Sequence, residues 1–245
     1  MESRNFKLDT EWNMVHYPAK PNGFGILIIG DERHFVDGKS SFWIQNEGKL
    51  VFINKLRDAG YTIFYSNLYG RNWGSEKAVT LVKHLCHHIL KNEILNYKIH
   101  IIAEGMGALT AFQLVNDPDL HIRSMLLVNP VLSLKKHLEH EKEHKFFYKK
   151  ILKELGDAFR EDGRELEEVL AGSPAGPELN PQIPVKVIQV LAGNRSYKQS
   201  EYLRYLSRRW EQQKLPVSLS YVVPEKKQQL GSQAIRFFNS HEHIL

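Results

Sequence analysis

A strand-like run, Lys98–Ala103 (KIHIIA), leads through Glu104-Gly105-Met106-Gly107 into a helical pattern over Ala108–Val115. A sharp strand-to-helix turn can hold one side chain above a sheet, beside backbone N–H groups at a helix N-terminus. Glu104, next to the turn, could take a proton as a general base if burial raised its pKa. Packing or hydrogen bonding is its plainer role. A second polar group, Gly30-Asp31-Glu32-Arg33-His34, follows the apolar run Phe24–Ile29. Asp31 and His34 have the composition of an acid–base pair, and a solvated loop is the plainer alternative. His84 and His88 stand at i, i+4, a metal-binding spacing on one helix face. His137, His140 and His144 alternate with Glu139, Glu141 and Glu143. Catalytic zinc wants three fixed ligands on rigid elements, and neither group supplies them, so no metal and no cofactor are expected.

The elements that must position these residues are legible as hydrophobic runs. Phe24–Ile29, Tyr61–Leu68, Lys98–Ala103, Arg123–Val128, Val185–Leu191 and Val217–Val223 read as strands. Between them, Leu50–Leu56, Ala78–Leu90, Ala108–Val115, Tyr202–Trp210 and Lys226–Phe238 repeat at helical spacing. Strands alternating with helices imply an α/β fold: a doubly wound, mostly parallel sheet covered on both faces. The carboxyl ends of such strands are where ligands bind.

One stretch interrupts the alternation. Tyr148, Ile151, Leu152, Leu155 and Phe159 predict an amphipathic helix, and Glu165–Leu170 a second short one. Gly172–Pro184 holds four prolines and cannot be helical throughout. Residues 1–134 and 185–245 therefore form the core, and 135–184 a helical insertion with a proline-rich return.

Composition narrows the class further. A 42% hydrophobic chain of 245 residues can bury a real core, which excludes disorder. No apolar stretch approaches the ~18 residues of a membrane span. The charged N-terminus carries no signal-peptide pattern, and Cys86 is the one cysteine, so a cytoplasmic protein without disulfides is expected. The net charge of +5 is spread among acidic residues, which argues against nucleic-acid binding.

Three motifs in this order resemble the α/β-hydrolase family, in its capped lipase, esterase and serine-peptidase branch. Asn67–Ser75 (NLYGRNWGS) looks like the family's D-x-x-G-x-G-x-S loop after the fourth strand. Ala103–Gly107 (AEGMG) sits where the family carries its G-x-S-x-G nucleophile elbow. Leu191–Ser196 (LAGNRS) sits where a strand ends in G-x-x-D and supplies the acid. The resemblance covers Phe24 to Phe238, places Gly30–His34 at the oxyanion loop, and makes the insertion a cap.

The resemblance also implies a Ser-His-Asp triad, and this chain departs from it at each member. Gly105 stands at the nucleophile position, and no serine occurs from Glu76 to Arg123. Ser196 stands at the acid position, and the alternative after the sixth strand falls at Asn129. The loop after the last strand, Pro224–Gln229, has no histidine. A serine hydroxyl needs a base, and the base needs a carboxylate to hold its tautomer. The expectation is a non-catalytic hydrolase-fold protein with a pocket at Gly30, Asp31, Glu104, Gly105, Met106, Asn129 and Ser196. Its partner would be a small apolar or amphipathic ligand under the cap, or another protein. The alternative is a divergent hydrolase using Glu104, Asp31 and His34. If the elbow is real, Gly105 must have φ > 0.

Overall fold

The structure is a computed structural model that describes residues 2–160, 165–166, 170, 172 and 176–242, with 193–198 described as backbone only. A hairpin of β1 (Ser3–Leu8) and β2 (Glu11–His16) begins the sheet, and β2 pairs antiparallel with β4 (Thr62–Ser66). Next to β4 lie β3 (Gly25–Ile29), β5 (Ile99–Glu104), β6 (Ile122–Val128), β7 (Val185–Val190) and β8 (Val217–Val222), all parallel. The order among the described residues is β1-β2-β4-β3-β5-β6-β7-β8.

The inner parallel strands read as largely apolar runs because both their faces are covered, whereas β8 at the edge is only partly buried. Leu27 and Ile29 pack with α3 (Glu76–Asn92), α4 (Gly107–Leu114) and α7 (Gly193–Gln212). Ile26 and Ile28 point the other way, toward α1 (Phe42–Gln45), α2 (Glu47–Asp58) and α8 (Leu230–Asn239). All four are fully buried, so truncating any one to alanine would cost about 2–5 kcal/mol.

The expected last helix is corrected. Pro224–Gln229 is a 3-10 segment, and α8 begins only at Leu230. The run EKKQQ is exposed and offers no apolar stripe to anchor an α-helical turn to the sheet.

Two helices leave the sheet after β6: α5 (Leu134–Glu141) and α6 (Lys145–Phe159). Helix α6 buries Ile151 and Leu155, as its spacing predicts, and with them Glu154 and Ala158. With Leu134 and Leu138 of α5, Ile151 and Leu155 close over Trp73 and Met106 as a third apolar cluster. The short helix expected over Glu165–Leu170 falls partly outside the described residues; Glu165 and Leu166 are helical, and Leu166 is buried. Among the described residues no helix is long and apolar enough to cross a membrane.

Candidate functional site

The turn from β5 to α4 has the geometry of an elbow. Gly105 has φ +51°, the left-handed region that crowds a β-carbon against its neighbouring carbonyl. Its N–H donates to the Val128 carbonyl at 3.1 Å, and its own carbonyl accepts from Val131 N–H at 2.9 Å. The turn is thereby pinned to the end of β6. Gly107 allows α4 to approach β3, since a Cβ there would lie 2.5 Å from the Ile29 carbonyl oxygen.

The space above Gly105 is already filled. A Cβ at this position would lie 2.0 Å from both Cγ and Oδ1 of Asp31. Asp31 Oδ1 accepts from Met106 N–H at 3.0 Å. That N–H belongs to the residue after the elbow position, and in acyl transfer it is one of the donors that hold the oxyanion. Here it holds a carboxylate from the β3–α1 loop. The arrangement suits a helix N-terminus, where the partial positive charge favours an anion.

A cavity of about 430 Å³ opens beside this carboxylate. Asp31, Gly105 and Asn129 line it, as do Trp73, His137, Phe147, Lys150 and Ile151 from the loop after β4 and from α5–α6, with Gln189 from β7. Of the residues expected in the wall, Gly30, Glu104 and Met106 are not there. The His34 ring packs against Gly30, whose Cβ would lie 2.4 Å from it. Met106 turns its side chain into the apolar cluster beneath α5–α6 and offers only its N–H. Glu104 is drawn into an ion pair with Lys49, whose ammonium lies 4.6 Å from the Trp43 ring centre. Ser196 lies by its backbone in the first turn of α7, and its side chain is outside the described residues.

His34 is not placed to act with Asp31. It is buried, Trp43 Nε1–H donates to its Nδ1 at 2.9 Å, and its Nε2–H donates to the Ser66 carbonyl at 2.7 Å. Both ring nitrogens are engaged, and burial pushes the pKa down to about 4. The wall carries one histidine among the described residues, His137, whose ring lies 5.5 Å from that of Trp73. No serine, threonine or cysteine lines the cavity among the described residues.

The remaining histidine groups do not converge. His84 faces Asp9 at 3.4 Å, and His88 stacks on Phe6. Among the described residues no three His, Cys, Asp or Glu side chains come together as a metal site.

Two features escaped the sequence reading. Glu154, on the buried face of α6, accepts from Trp73 Nε1–H at 3.1 Å and pairs with Arg71 at 3.0 Å, latching the helix to the loop after β4. The signal was a carboxylate within an apolar stripe, which must find a partner. The second is a buried Ser124–His100–Glu242 chain, with Ser124 Oγ 2.8 Å from His100 Nδ1 and Glu242 Oε1 3.1 Å from Nε2. It resembles a triad in composition only. His100 lies five residues before Gly105 on β5, roughly 16 Å away at ~3.3 Å per residue. The His100 ring is fully buried and stacks on Phe238 at 4.4 Å, so no substrate reaches it. This chain ties the end of α8 to the sheet.

No protein-family model and no curated protein sequence matches the chain. Solved structures match it in shape over nearly its whole length. A lipase in its open form shares 12% identity at a TM-score of 0.66, covering 98% of this chain and 99% of its own. Est1E from Butyrivibrio proteoclasticus shares 10% identity at 0.60, with 98% of each chain covered. Proline iminopeptidase from Mycobacterium smegmatis shares 11% identity at 0.57, again with 98% of each covered. At such identities the likeness speaks for the fold alone.

Proposed function

We propose that this chain, which has the α/β-hydrolase fold, acts by binding a ligand above its sheet and not by acyl transfer. One observation carries the reading: the Asp31 carboxylate fills the space a side chain at position 105 would need and accepts from Met106 N–H. An oxyanion hole works by preorganised donors aimed at developing negative charge. A donor already holding a carboxylate cannot do this without first releasing it. The absence of serine, threonine and cysteine from the cavity wall, among the described residues, supports the same conclusion.

Gly105 is then the remnant of a nucleophile elbow and Ser196 of the acid turn. Helices α5 and α6 act as a cap, held by the Glu154–Trp73 hydrogen bond, with the cavity beneath them as the binding site. The wall combines charged groups with Trp73, Phe147 and Ile151, which suits an amphipathic ligand better than a purely apolar one. The alternative hydrolase built from Glu104, Asp31 and His34 has little support. Glu104 is paired with Lys49, and both nitrogens of His34 are occupied.

The test is labelling with a fluorophosphonate, read by intact mass. The reading predicts no stoichiometric adduct. A stoichiometric adduct on a serine at the carboxyl edge of the sheet would overturn it.

A further inference from the structure

Strand β8 ends the sheet among the described residues, and its side chains alternate between the two helix layers. Val222 packs in the apolar cluster with Ala234 and Phe238 of α8, so Ser218 and Ser220 share that face. On β7 the same face carries Ile188, buried in that cluster, and Lys186, which is half-buried. Lys186 stands opposite Ser218 in register, and its ammonium donates to Ser220 Oγ at 3.2 Å. Its inner neighbour on β6, Leu126, is fully buried. One lysine and two hydroxyls thus replace the apolar layer where it reaches the sheet edge. The cavity is elsewhere: Gln189 and Val190, which line it, lie toward the other end of β7.

Two cations meet on this shelf. The charge that reaches Lys186 is Arg236, from the last turn of α8, and no carboxylate acts on it. Burial and that guanidinium together hold the Lys186 ammonium below its ordinary value. A lysine drawn partly out of water ordinarily pairs with a carboxylate or carries its charge out to solvent. Lys186 instead keeps one hydroxyl as its partner and a like charge as its neighbour.

We propose that Lys186, Ser218, Ser220 and Arg236 form a site for a phosphate group at the edge of the sheet. An anion there relieves the repulsion between the two cations and compensates the desolvated ammonium. Lys186 has two N–H donors beyond the one given to Ser220, the serines offer hydroxyls, and Arg236 offers a guanidinium edge. These donors come from two strands on one side and a helix on the other. A phosphate, with three or more acceptor oxygens and nearly two charges, can meet them together, whereas a carboxylate has two oxygens in one plane.

The test titrates inorganic phosphate into the full chain by calorimetry at fixed ionic strength and neutral pH, with acetate as the carboxylate control. Phosphate should bind saturably, and acetate at least tenfold more weakly. Lys186→Met keeps an apolar stem and removes the charge, so it should abolish saturable binding. Arg236→Gln should weaken binding several-fold, and Lys91→Met, on α3 across the sheet, should leave it unchanged. Without phosphate, Lys186→Met should unfold at no lower a urea concentration than wild type, because it removes a cation that has no counter-charge. Flotation with phosphatidylcholine vesicles, with and without phosphatidate, identifies the source of the phosphate. Retention by phosphatidate that Lys186→Met loses assigns a lipid headgroup, and free phosphate binding without retention assigns a soluble phosphate. The inference fails if neither phosphate at millimolar concentration nor phosphatidate is bound, or if acetate binds as tightly as phosphate. It fails equally if Lys186→Met binds as wild type does, or is less stable than wild type in the absence of phosphate.

Discussion

Replacing Gly105 with alanine perturbs two things at once, and the structure allows them to be separated. The φ of +51° costs a non-glycine residue about 1–2 kcal/mol. The new Cβ would also lie 2.0 Å from the Asp31 carboxyl, which must swing away and release Met106 N–H. Asp31 is exposed to the cavity, so losing that charge-assisted bond is worth about 1–2 kcal/mol, the low end for such bonds. Stiffening of the unfolded chain returns about 0.4–1 kcal/mol. Gly105→Ala should therefore destabilise by about 1–4 kcal/mol net. In an Asp31→Ala background the collision is gone, and only the φ strain and the unfolded-state effect remain. The double variant should be more stable than the sum of the singles predicts, by about 1–2 kcal/mol. Equilibrium urea unfolding of the four proteins reads this directly. Additivity within about 0.5 kcal/mol would refute the claim that Asp31 occupies the elbow, and an alanine variant more stable than wild type would refute the elbow itself.

Acid should unfold the protein earlier than its carboxylates alone would require. His16 and His34 are held near 4 by burial against an ordinary 6.5. Each binds its proton less tightly when folded, so their contribution is full above pH 6.5 and is lost as pH falls toward 4, about 2 kcal/mol each at pH 5. Urea midpoints at pH 7 and pH 5 should differ by about 4 kcal/mol of stability, and an unchanged midpoint would contradict the burial of both rings. Glu154→Ala leaves Trp73 N–H without its partner and should cost about 1–3 kcal/mol. Hydrogen exchange should then quicken across α6 while β5 and β6 stay protected; unaltered protection of α6 would mean that Glu154 does not latch it.

The inner parallel strands were legible because a strand covered on both faces is apolar through most of its length, as Ile26–Ile29 and Ile101–Ala103 are. The hairpin at the sheet edge was not. β1 is mostly exposed (SRNFKL), and β2 buries polar Asn13 and His16 among its apolar residues, so neither carries a clean run. At the site, the turn at Gly105 and its positive φ were expected from the resemblance of Ala103–Gly107 to the hydrolase elbow, and the backbone has both. The carboxylate above it did not. Asp31 and Met106 are 75 residues apart, and their meeting depends on β3 and β5 being sheet neighbours in register. The same holds for His34: its sequence neighbours suggest a solvated loop, but Trp43 and the end of β4 enclose it. His137 stood out in the sequence only as part of a His/Glu stretch, because its place in the cavity wall depends on how α5 docks beside Trp73.

The central claim is that the turn at Gly105 presents a carboxylate plug in place of a nucleophile. Steady-state hydrolysis of p-nitrophenyl esters of graded chain length by wild type and Gly105→Ser tests it most directly. A hydroxyl introduced there would meet Asp31 and would find no free base in His34. The account predicts that neither protein exceeds the background of surface lysines. Saturable turnover by wild type that Asp31→Ala abolishes, or by Gly105→Ser alone, would contradict it.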